Sequence, residues 1–331
     1  MRLRRLCAAA LLALLVPVPA PANAVETSCQ DVYTPVRFGL TQQTMYGRLC
    51  VPQGATTVQV LVPGGTYTNT YWDIPVDPDV RSVRQAMNHA GIATMAVDRI
   101  GTGKSSKPLS ALITTLNQAE AVHHVITTLR PRFQKVLIAG HSIGSAVALA
   151  EAGTYHDVDG VMISGLANQW DYTRVTPALT SLIPVTLDPR LNRLGLDPGY
   201  LTTAPGARYN AFHKPGPLNP AVMDYEESTK DVFAGSEAVT AILMNNIVIP
   251  SSRAVTAPVL SAQAREDYFC GTPPLGADCS SGEALADSER AFFPNAPRLE
   301  GFVLAGYGHC LNFAPNSAGY HDAVTAWQRS I

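Results

Sequence analysis

The segment that most constrains the fold of this chain is residues 135–150, KVLIAGHSIGSAVALA. Its first half is a short apolar run, which is typical of a β-strand buried on both faces. Its second half repeats small and apolar residues at helical spacing, which predicts a helix packed closely against a sheet. The halves meet at GHSIG, residues 140–144, which fits the pattern G-x-S-x-G. In that pattern a sharp strand-to-helix turn exposes the serine hydroxyl and leaves the next backbone N–H free to bind an oxyanion.

The first 24 residues have the pattern of a secretory signal peptide. Three arginines within residues 2–5 are followed by an apolar stretch over residues 6–16 and by Ala22-Asn23-Ala24. A basic start, a short apolar core and an A-x-A end direct export, and this core is too short to span a bilayer as a retained helix. We therefore expect cleavage after Ala24, a secreted, extracellular protein, and no stable membrane insertion of the mature chain.

Length and charge limit the class of protein. The chain has 331 residues, of which 46% are hydrophobic, and its formal net charge is −2. The mature part, residues 25–331, is long enough for one large α/β domain with an insertion. The mild negative charge argues against a nucleic-acid partner, because such partners are bound by basic patches. No cluster with metal-ligand spacing is evident, so the sequence predicts neither a metal nor a cofactor.

The cysteines suggest two disulfides. The chain has 6 cysteines, one of them inside the predicted signal peptide, and an oxidising compartment favours pairing of the others. Residues 32–38 and 44–52 are predicted to form a hairpin with its turn near Gly39-Leu40. Cys29 and Cys50 lie equally far from that turn, so they face each other and fit a disulfide. Cys270 and Cys279 bracket a loop rich in glycine and proline, and a disulfide between them would close this loop. Pairing of Cys270 with Cys310 stays open as an alternative.

Strand and helix patterns alternate along the rest of the chain. Strands are predicted at residues 57–62, 92–97, 158–163, 254–262 and 300–305, and helices at 80–90, 116–129 and 318–328. This alternation predicts a mostly parallel central sheet with helices on both faces. Residues 167–250 interrupt it with frequent proline, glycine and aromatic residues. Such a long stretch between two sheet strands predicts a cap over the serine, with helices at 175–182 and 237–247.

Two glycine-rich turns follow early strands. Residues 63–66, Pro-Gly-Gly-Thr, form the first, which we call the glycine turn. Glycine lets backbone N–H groups point at a ligand, so Gly65 or Thr66 is expected to supply a second oxyanion donor. The second turn ends in Gly103-Lys104-Ser105, which looks like the end of a phosphate-binding loop. That motif needs glycine where this chain has Asp98, so we interpret this turn as structural.

A serine nucleophile needs a histidine to take its proton and a carboxylate to orient the histidine. Both partners are expected in loops at the carboxyl ends of strands, where an open α/β sheet places its site. Asp267 follows the penultimate predicted strand and His309 follows the last, so they are the candidate partners of Ser142. Glu266 and Asp171 are rivals for the acid, the latter because it follows the strand after the nucleophile helix. The other histidines lie on predicted helices, in the cap or beside the serine.

The chain resembles the α/β-hydrolase fold over nearly its whole mature length. The likeness runs from the glycine turn through GHSIG to Gly308-His309, and residues 98–106 resemble a D-x-x-G-x-G-x-S turn common in that family. The resemblance implies the chain order Ser, acid, His, which carries over to Ser142, Asp267 and His309.

The resemblance also implies two oxyanion donors. The family's donors carry over to the backbone N–H of Ile143 and to that of Gly65 or Thr66. The usual His-Gly pair of the family's oxyanion turn is Pro63-Gly64 in this chain, so the choice of second donor stays open.

These features together predict an exported serine hydrolase of the esterase or lipase kind. It would cleave an ester or lactone of a hydrophobic small molecule or lipid through an acyl-enzyme. A peptidase or amidase is the first alternative, in which Asp224, Glu226 or Glu227 of the cap would hold an amine. An acyl-transfer cyclase using the same triad and a non-catalytic binding protein on this scaffold are the others.

Overall fold

The structure, a computed structural model, describes residues 26–247 and 250–331. The predicted signal peptide, residues 1–24, lies outside these residues. In chain order the strands are β1 (Thr27–Phe38), β2 (Thr41–Pro52), β3 (Thr57–Val62), β4 (Ala93–Val97), β5 (Lys135–His141), β6 (Gly160–Ser164), β7 (Leu182–Pro184), β8 (Tyr200–Thr203), β9 (Phe233–Ala234), β10 (Val259–Ala264) and β11 (Leu299–Leu304). The α-helices are α1 (Pro78–Arg81), α2 (Val83–His89), α3 (Thr115–Leu129), α4 (Ile143–Tyr155), α5 (Tyr172–Thr180), α6 (Pro220–Thr229), α7 (Gly235–Ile242), α8 (Gly282–Glu289) and α9 (Ala318–Ser330).

A single large sheet organises the described residues. Its eight strands follow the order β1-β2-β4-β3-β5-β6-β10-β11. The β1–β2 and β2–β4 pairs are antiparallel, and all other neighbours run parallel. The predicted mostly parallel sheet is therefore confirmed. Because parallel strands end at the same edge, the loops after β3, β5, β10 and β11 meet there.

The central strands are buried on both faces. Val60 of β3 and Ile138 of β5 belong to one apolar cluster, which contains residues of α3 and α4. Their neighbours Leu61 and Ala139 belong to a second cluster, which contains residues of α2 and α9. Successive strand residues point to opposite faces, so an unbroken apolar run places one layer of helices on each side of the sheet.

An insertion, residues 165–258, separates β6 from β10. It contains α5, α6, α7 and a small antiparallel sheet of order β7-β8-β9. The two helices predicted here correspond to α5 and to α7 with the π-helical turn Leu243–Ile247 that follows it. The small sheet was not predicted, because its strands of 3, 4 and 2 residues are too short to show an alternating pattern.

Two predicted boundaries were wrong. The helix predicted at 80–90 is broken at Ser82, whose backbone is extended (ψ 103°) and whose side chain accepts a hydrogen bond from the Gln85 N–H. Serine is a strong N-cap, so a new helix begins there. The strand predicted at 254–262 begins only at Val259, because residues 251–254 form a 3₁₀ turn that ends before Pro258.

The structure joins Cys29 to Cys50 and Cys270 to Cys279, as predicted. Cys29 and Cys50 are paired in the register of the β1–β2 hairpin, where facing side chains come close together. Cys310 is the free cysteine among the described residues, and its side chain is buried. None of the helices in the described residues has the length and apolar character needed to cross a bilayer.

Candidate active site

Ser142 lies on a strained turn between β5 and α4. Its backbone has φ 54° and ψ −124°, a conformation that non-glycine residues adopt rarely and that marks functional sites. The flanking glycines make this turn possible. A Cβ atom on Gly140 would come within 2.3 Å of the Gly144 carbonyl oxygen, and one on Gly144 within 2.3 Å of the Val62 carbonyl oxygen. The G-x-S-x-G spacing thus lets α4 pack directly on β3 and β5, which presents Ser142 at the carboxyl edge of the sheet.

Three backbone N–H groups that have no partner among the described residues lie beside Ser142. Ile143 is the first residue of α4, so its N–H has no partner within the helix. Within the part of the chain that the structure describes, the N–H groups of Gly65 and Thr66 have no hydrogen-bond acceptor. All three residues line the same cavity as Ser142. The structure therefore brings both predicted oxyanion segments to the serine.

Asp267 and His309 form a buried pair. His309 Nδ1 lies 3.0 Å from Asp267 Oδ2, and Asp267 Oδ1 accepts a hydrogen bond of 3.1 Å from the Phe269 N–H. The rival Asp171 is partly exposed and instead caps α5, where its Oδ1 accepts from the Thr173 N–H at 2.9 Å. The other rival, Glu266, borders a separate surface depression. Of the three carboxylates, only Asp267 contacts the histidine.

Ser142 and His309 line the same cavity. Within residues 26–247 and 250–331, their side chains do not hydrogen-bond to each other, and His309 Nε2 has no protein partner. Bonds between a catalytic base and its nucleophile are often long without substrate and shorten in the Michaelis complex. The geometry leaves Nε2 as the imidazole nitrogen available to the serine.

Two aromatic rings flank the His309 imidazole. The Tyr268 ring is stacked on it with centroids 4.4 Å apart, and the His141 ring lies 4.7 Å away at a tilt. Burial and the nearby Asp267 charge raise the pKa of the Tyr268 phenol well above its usual range, and an interaction with the Ser142 side chain opposes this rise. Burial, with the charges of His309 and His213, lowers the pKa of His141. Tyr268 is therefore a neutral neighbour of the serine and the histidine.

The cavity above Ser142 is apolar. Its volume, counted with the open solvent at its mouth, is about 780 Å³. No Asp, Glu, Lys or Arg side chain is among the described residues that line it. The insertion supplies most of the lining, through Leu166, Trp170, Val175, Ala178, Leu179, Leu182, Phe212, Phe233, Ala238, Ala241 and Ile242.

The acidic residues once considered as an amine anchor lie elsewhere. Glu226 is buried against Arg208, with 3.0 Å between Oε1 and Nη2. Glu227 forms an ion pair of 2.6 Å with Lys230. Asp224 borders surface depressions outside the cavity. None of the three is placed to bind a substrate amine beside Ser142.

Two clusters of described residues bring cation-ligating atoms close together. Their members are His213, Glu226 and Cys310 in the first, and His123, Glu151 and Asp157 in the second. In the first, His213 Nε2 already bonds Glu226 at 2.6 Å, and Cys310 contacts the Tyr67 hydroxyl. In the second, His123 pairs with Asp157 at 2.8 Å and with Glu151 at 3.7 Å. His213 and Glu226 thus bind each other, and His123 binds both carboxylates of the second cluster. None of these six residues lines the cavity.

Sequence reasoning missed several residues around the site. Tyr268 and His141 adjoin predicted catalytic residues, yet nothing in the sequence indicates that their rings pack on His309. Arg99 and Arg208 contact the glycine turn through bonds to residues 35 to 142 positions away in the chain. No periodic pattern in a single sequence reports contacts over such separations.

A family model described as the alpha/beta hydrolase family matches residues 59–318. No curated protein shows significant sequence similarity to the chain.

Solved structures share its architecture at low identity. A thermophilic esterase from Thermogutta terrifontis has 16% identity and a TM-score of 0.60, over 91% of this chain and 98% of that chain. A monoacylglycerol lipase from Paleococcus ferrophilus has 20% identity and a TM-score of 0.56, over 91% and 98%. An esterase domain from Rhodothermus marinus has 16% identity and a TM-score of 0.54, over 92% and 98%. Likeness at these identities shows the fold.

Proposed function

Because this chain belongs to the alpha/beta hydrolase family, we propose that it is a serine hydrolase that cleaves carboxylic esters or lactones of hydrophobic small molecules or lipids. One observation carries the proposal. The buried Asp267–His309 pair and the strained Ser142 meet at an apolar cavity, beside three backbone N–H groups for which the described residues provide no acceptor. This combination supplies a nucleophile, a base and an oxyanion site.

In the proposed mechanism, Ser142 Oγ bonds to the carbonyl carbon while its proton passes to His309 Nε2. The Asp267 carboxylate accepts a hydrogen bond from His309 Nδ1–H, which fixes the tautomer of the imidazole and stabilises the imidazolium. The alcohol leaves with the proton from Nε2 as the ester C–O bond breaks, and the acyl group remains on Ser142. Water then attacks the acyl-enzyme with His309 again as the base, which releases the carboxylic acid and restores the serine.

The N–H of Ile143, with that of Gly65 or Thr66, would bind the oxyanion of each tetrahedral intermediate. Fixed donors of this kind act where negative charge develops in the transition state. Loss of one such donor in comparable enzymes costs roughly 10²- to 10³-fold in kcat.

The cavity favours an apolar acyl or alcohol group over a peptide. A peptide terminus carries a charge, and a buried charge needs a partner. The lining described above offers no Asp, Glu, Lys or Arg side chain to pair with such a charge, whereas its aliphatic and aromatic residues suit a hydrocarbon group. The predicted signal peptide and the two disulfides support the further proposal that the enzyme acts outside the cell.

A substrate panel tests this function. We expect the purified chain to hydrolyse p-nitrophenyl esters of graded chain length and to leave aminoacyl p-nitroanilides uncleaved. A fluorophosphonate probe is expected to label the protein. Product analysis by mass spectrometry separates hydrolysis from transfer or cyclisation. Cleavage of the anilides with no ester turnover would replace the proposal with a peptidase, and absence of both turnover and labelling would favour a binding protein.

Residue 238 offers a test of the acyl-binding site. Ala238 on α7 lines the cavity and its neighbour Val239 is 57% exposed. We expect Ala238→Phe to lower kcat/KM for octanoate by at least about 10-fold relative to acetate, because the new ring occupies space that the longer chain requires. Val239→Phe adds the same ring on the solvent side of the helix and is the matched control, with an unchanged acetate-to-octanoate ratio. Equal effects of the two variants would place the acyl chain elsewhere.

A further inference from the structure

The carbonyl groups of the glycine turn are held by a buried arginine. Arg99 Nη1 donates to the carbonyl oxygens of Pro63 and Gly64 at 2.7 and 2.6 Å. Glu237 of α7 binds the same guanidinium, with 2.8 Å between Nε and Oε1 and 3.3 Å between Nη2 and Oε2. Both side chains are 0% exposed. A carboxylate on the insertion therefore orients the arginine that holds the start of the turn.

A second buried pair holds the end of the turn. Arg208 Nη1 donates to Thr66 Oγ1 at 2.9 Å, and its Nη2 lies 3.0 Å from Glu226 Oε1 on α6. Glu226 also binds His213 Nε2 at 2.6 Å and accepts a hydrogen bond from the Tyr67 hydroxyl. Burial by itself raises the pKa of Glu226, but the charges of Arg208 and His213 and these hydrogen bonds lower it to about 2. Glu226 is therefore a permanent carboxylate beside the turn.

These contacts determine which groups of the turn stay available. Thr66 has φ 64°, an unfavourable conformation for a non-glycine residue, which persists only where the surroundings impose it. Its carbonyl oxygen accepts from the Asp231 N–H at 2.9 Å. Among the described residues, the N–H groups of Gly65 and Thr66 have no acceptor, and both residues line the cavity with Ser142. Within the described part of the chain, these bonds thus engage the carbonyl groups of the turn and the Thr66 hydroxyl and leave the N–H groups of Gly65 and Thr66 without a partner.

We propose that the Arg99–Glu237 and Arg208–Glu226 pairs are positioning residues for catalysis. They hold the glycine turn so that its free N–H groups meet the oxyanion of the tetrahedral intermediate. Because Glu226 and Glu237 lie on α6 and α7, the insertion contributes to transition-state stabilisation as well as lining the cavity. This inference rests on the proposed function, since it needs an oxyanion at Ser142. A fixed geometry matters because misplacement by about 1 Å can cost roughly 10²-fold in rate.

Two isosteric variants test the proposal. Glu237→Gln and Glu226→Gln keep side-chain volume and remove the charge that orients each arginine. We expect each to lower kcat for p-nitrophenyl butyrate by about 10- to 100-fold, with KM changed by less than about 3-fold. The affinity for an alkyl trifluoromethyl ketone, which forms a tetrahedral oxyanion adduct with a serine, is expected to fall by the same factor as kcat. If the pairs had a purely structural role, the variants would have a lower melting temperature, but kcat and the ketone affinity would not fall by the same factor.

Asp188→Asn is the matched control. Asp188 forms a buried ion pair of 2.9 Å with Lys230 in the same insertion, and neither side chain forms a hydrogen bond or ion pair with the glycine turn. We expect this variant to melt at a lower temperature and to keep the wild-type kcat and ketone affinity. Folded glutamine variants that also keep both values would overturn the proposal.

Two further variants decide the matter if the glutamine variants do not fold. Arg99→Lys and Arg208→Lys keep the positive charge but lose the planar fork that bonds the turn and the glutamate together. They are expected to show the same parallel loss of kcat and ketone affinity, and wild-type values in both would again overturn the proposal. A wild-type protein without ester turnover or fluorophosphonate labelling would instead reject the function on which this inference rests.

Discussion

Replacement of Ser142 by alanine is expected to lower kcat for ester hydrolysis by roughly 10⁴- to 10⁶-fold. The acyl-enzyme cannot form without Oγ, and the activity that remains comes from the oxyanion donors and from binding alone. Labelling by a fluorophosphonate probe is expected to disappear in the same variant. Both effects are measured on protein whose melting temperature matches the wild type, because alanine removes one partly exposed oxygen and leaves the packing of the turn unchanged.

Ser228→Ala is the matched control for this variant. Ser228 lies at an exposed position of α6, and its hydroxyl donates only to the Tyr225 carbonyl of the same helix. We expect full turnover and full labelling in this variant, and peptide mapping of the labelled wild type should place the probe on Ser142. Retention of even one tenth of the wild-type activity in Ser142→Ala would reject the proposed nucleophile.

Replacement of Asp267 by asparagine is expected to lower kcat by about 10⁴-fold with a small change in KM. The asparagine amide can donate to Nδ1 and thereby select the wrong tautomer of His309, whose Nε2 then carries a proton and cannot act as the base. The loss is measured with p-nitrophenyl butyrate under saturating conditions. The fold should survive, because asparagine has nearly the same volume and its amide oxygen can still accept from the Phe269 N–H.

The two rival acids provide the controls. Asp171→Asn keeps an N-cap of similar strength on α5, and Glu266→Gln changes a partly exposed side chain outside the cavity. Both variants are expected to keep activity within about 3-fold of the wild type. A large loss in Asp171→Asn combined with an active Asp267→Asn would transfer the role of the acid to Asp171.

The local elements around the site could be predicted because their signals are local. Gly140 and Gly144 must be glycine because a Cβ atom at either position would come within 2.3 Å of a backbone oxygen. The spacing of G-x-S-x-G therefore predicts the strand, the turn and the helix as one unit. The β1–β2 hairpin was predictable for the same reason, since equal distances from one turn place Cys29 opposite Cys50. Errors occurred where a local pattern was ambiguous. The apolar spacing of residues 80–90 predicted one helix, whereas Ser82 is the N-cap of α2 and separates it from α1.

The insertion was only partly predictable. Its length and composition indicated a cap, but the contacts of its acidic residues could not be inferred from composition. Glu226 was considered for binding a substrate amine, whereas its carboxylate is buried against Arg208 and His213. That environment is formed by His213 and Arg208, which lie 13 and 18 positions before Glu226, and by the turn after β3. These parts meet only when the insertion packs on the sheet.

The sequence by itself determined the fold family, the serine turn, the pairing of Cys29 with Cys50 and the order of the candidate catalytic residues, because each leaves a pattern within a short stretch or follows from the order of strands. Only the tertiary structure decided which carboxylate contacts His309, that the described residues lining the cavity include no Asp, Glu, Lys or Arg, and that two buried Arg–Glu pairs hold the glycine turn. These depend on side chains that are distant in the chain and come together when the insertion closes over the carboxyl edge of the sheet. Burial then strengthens each of their polar contacts, since water no longer competes for them.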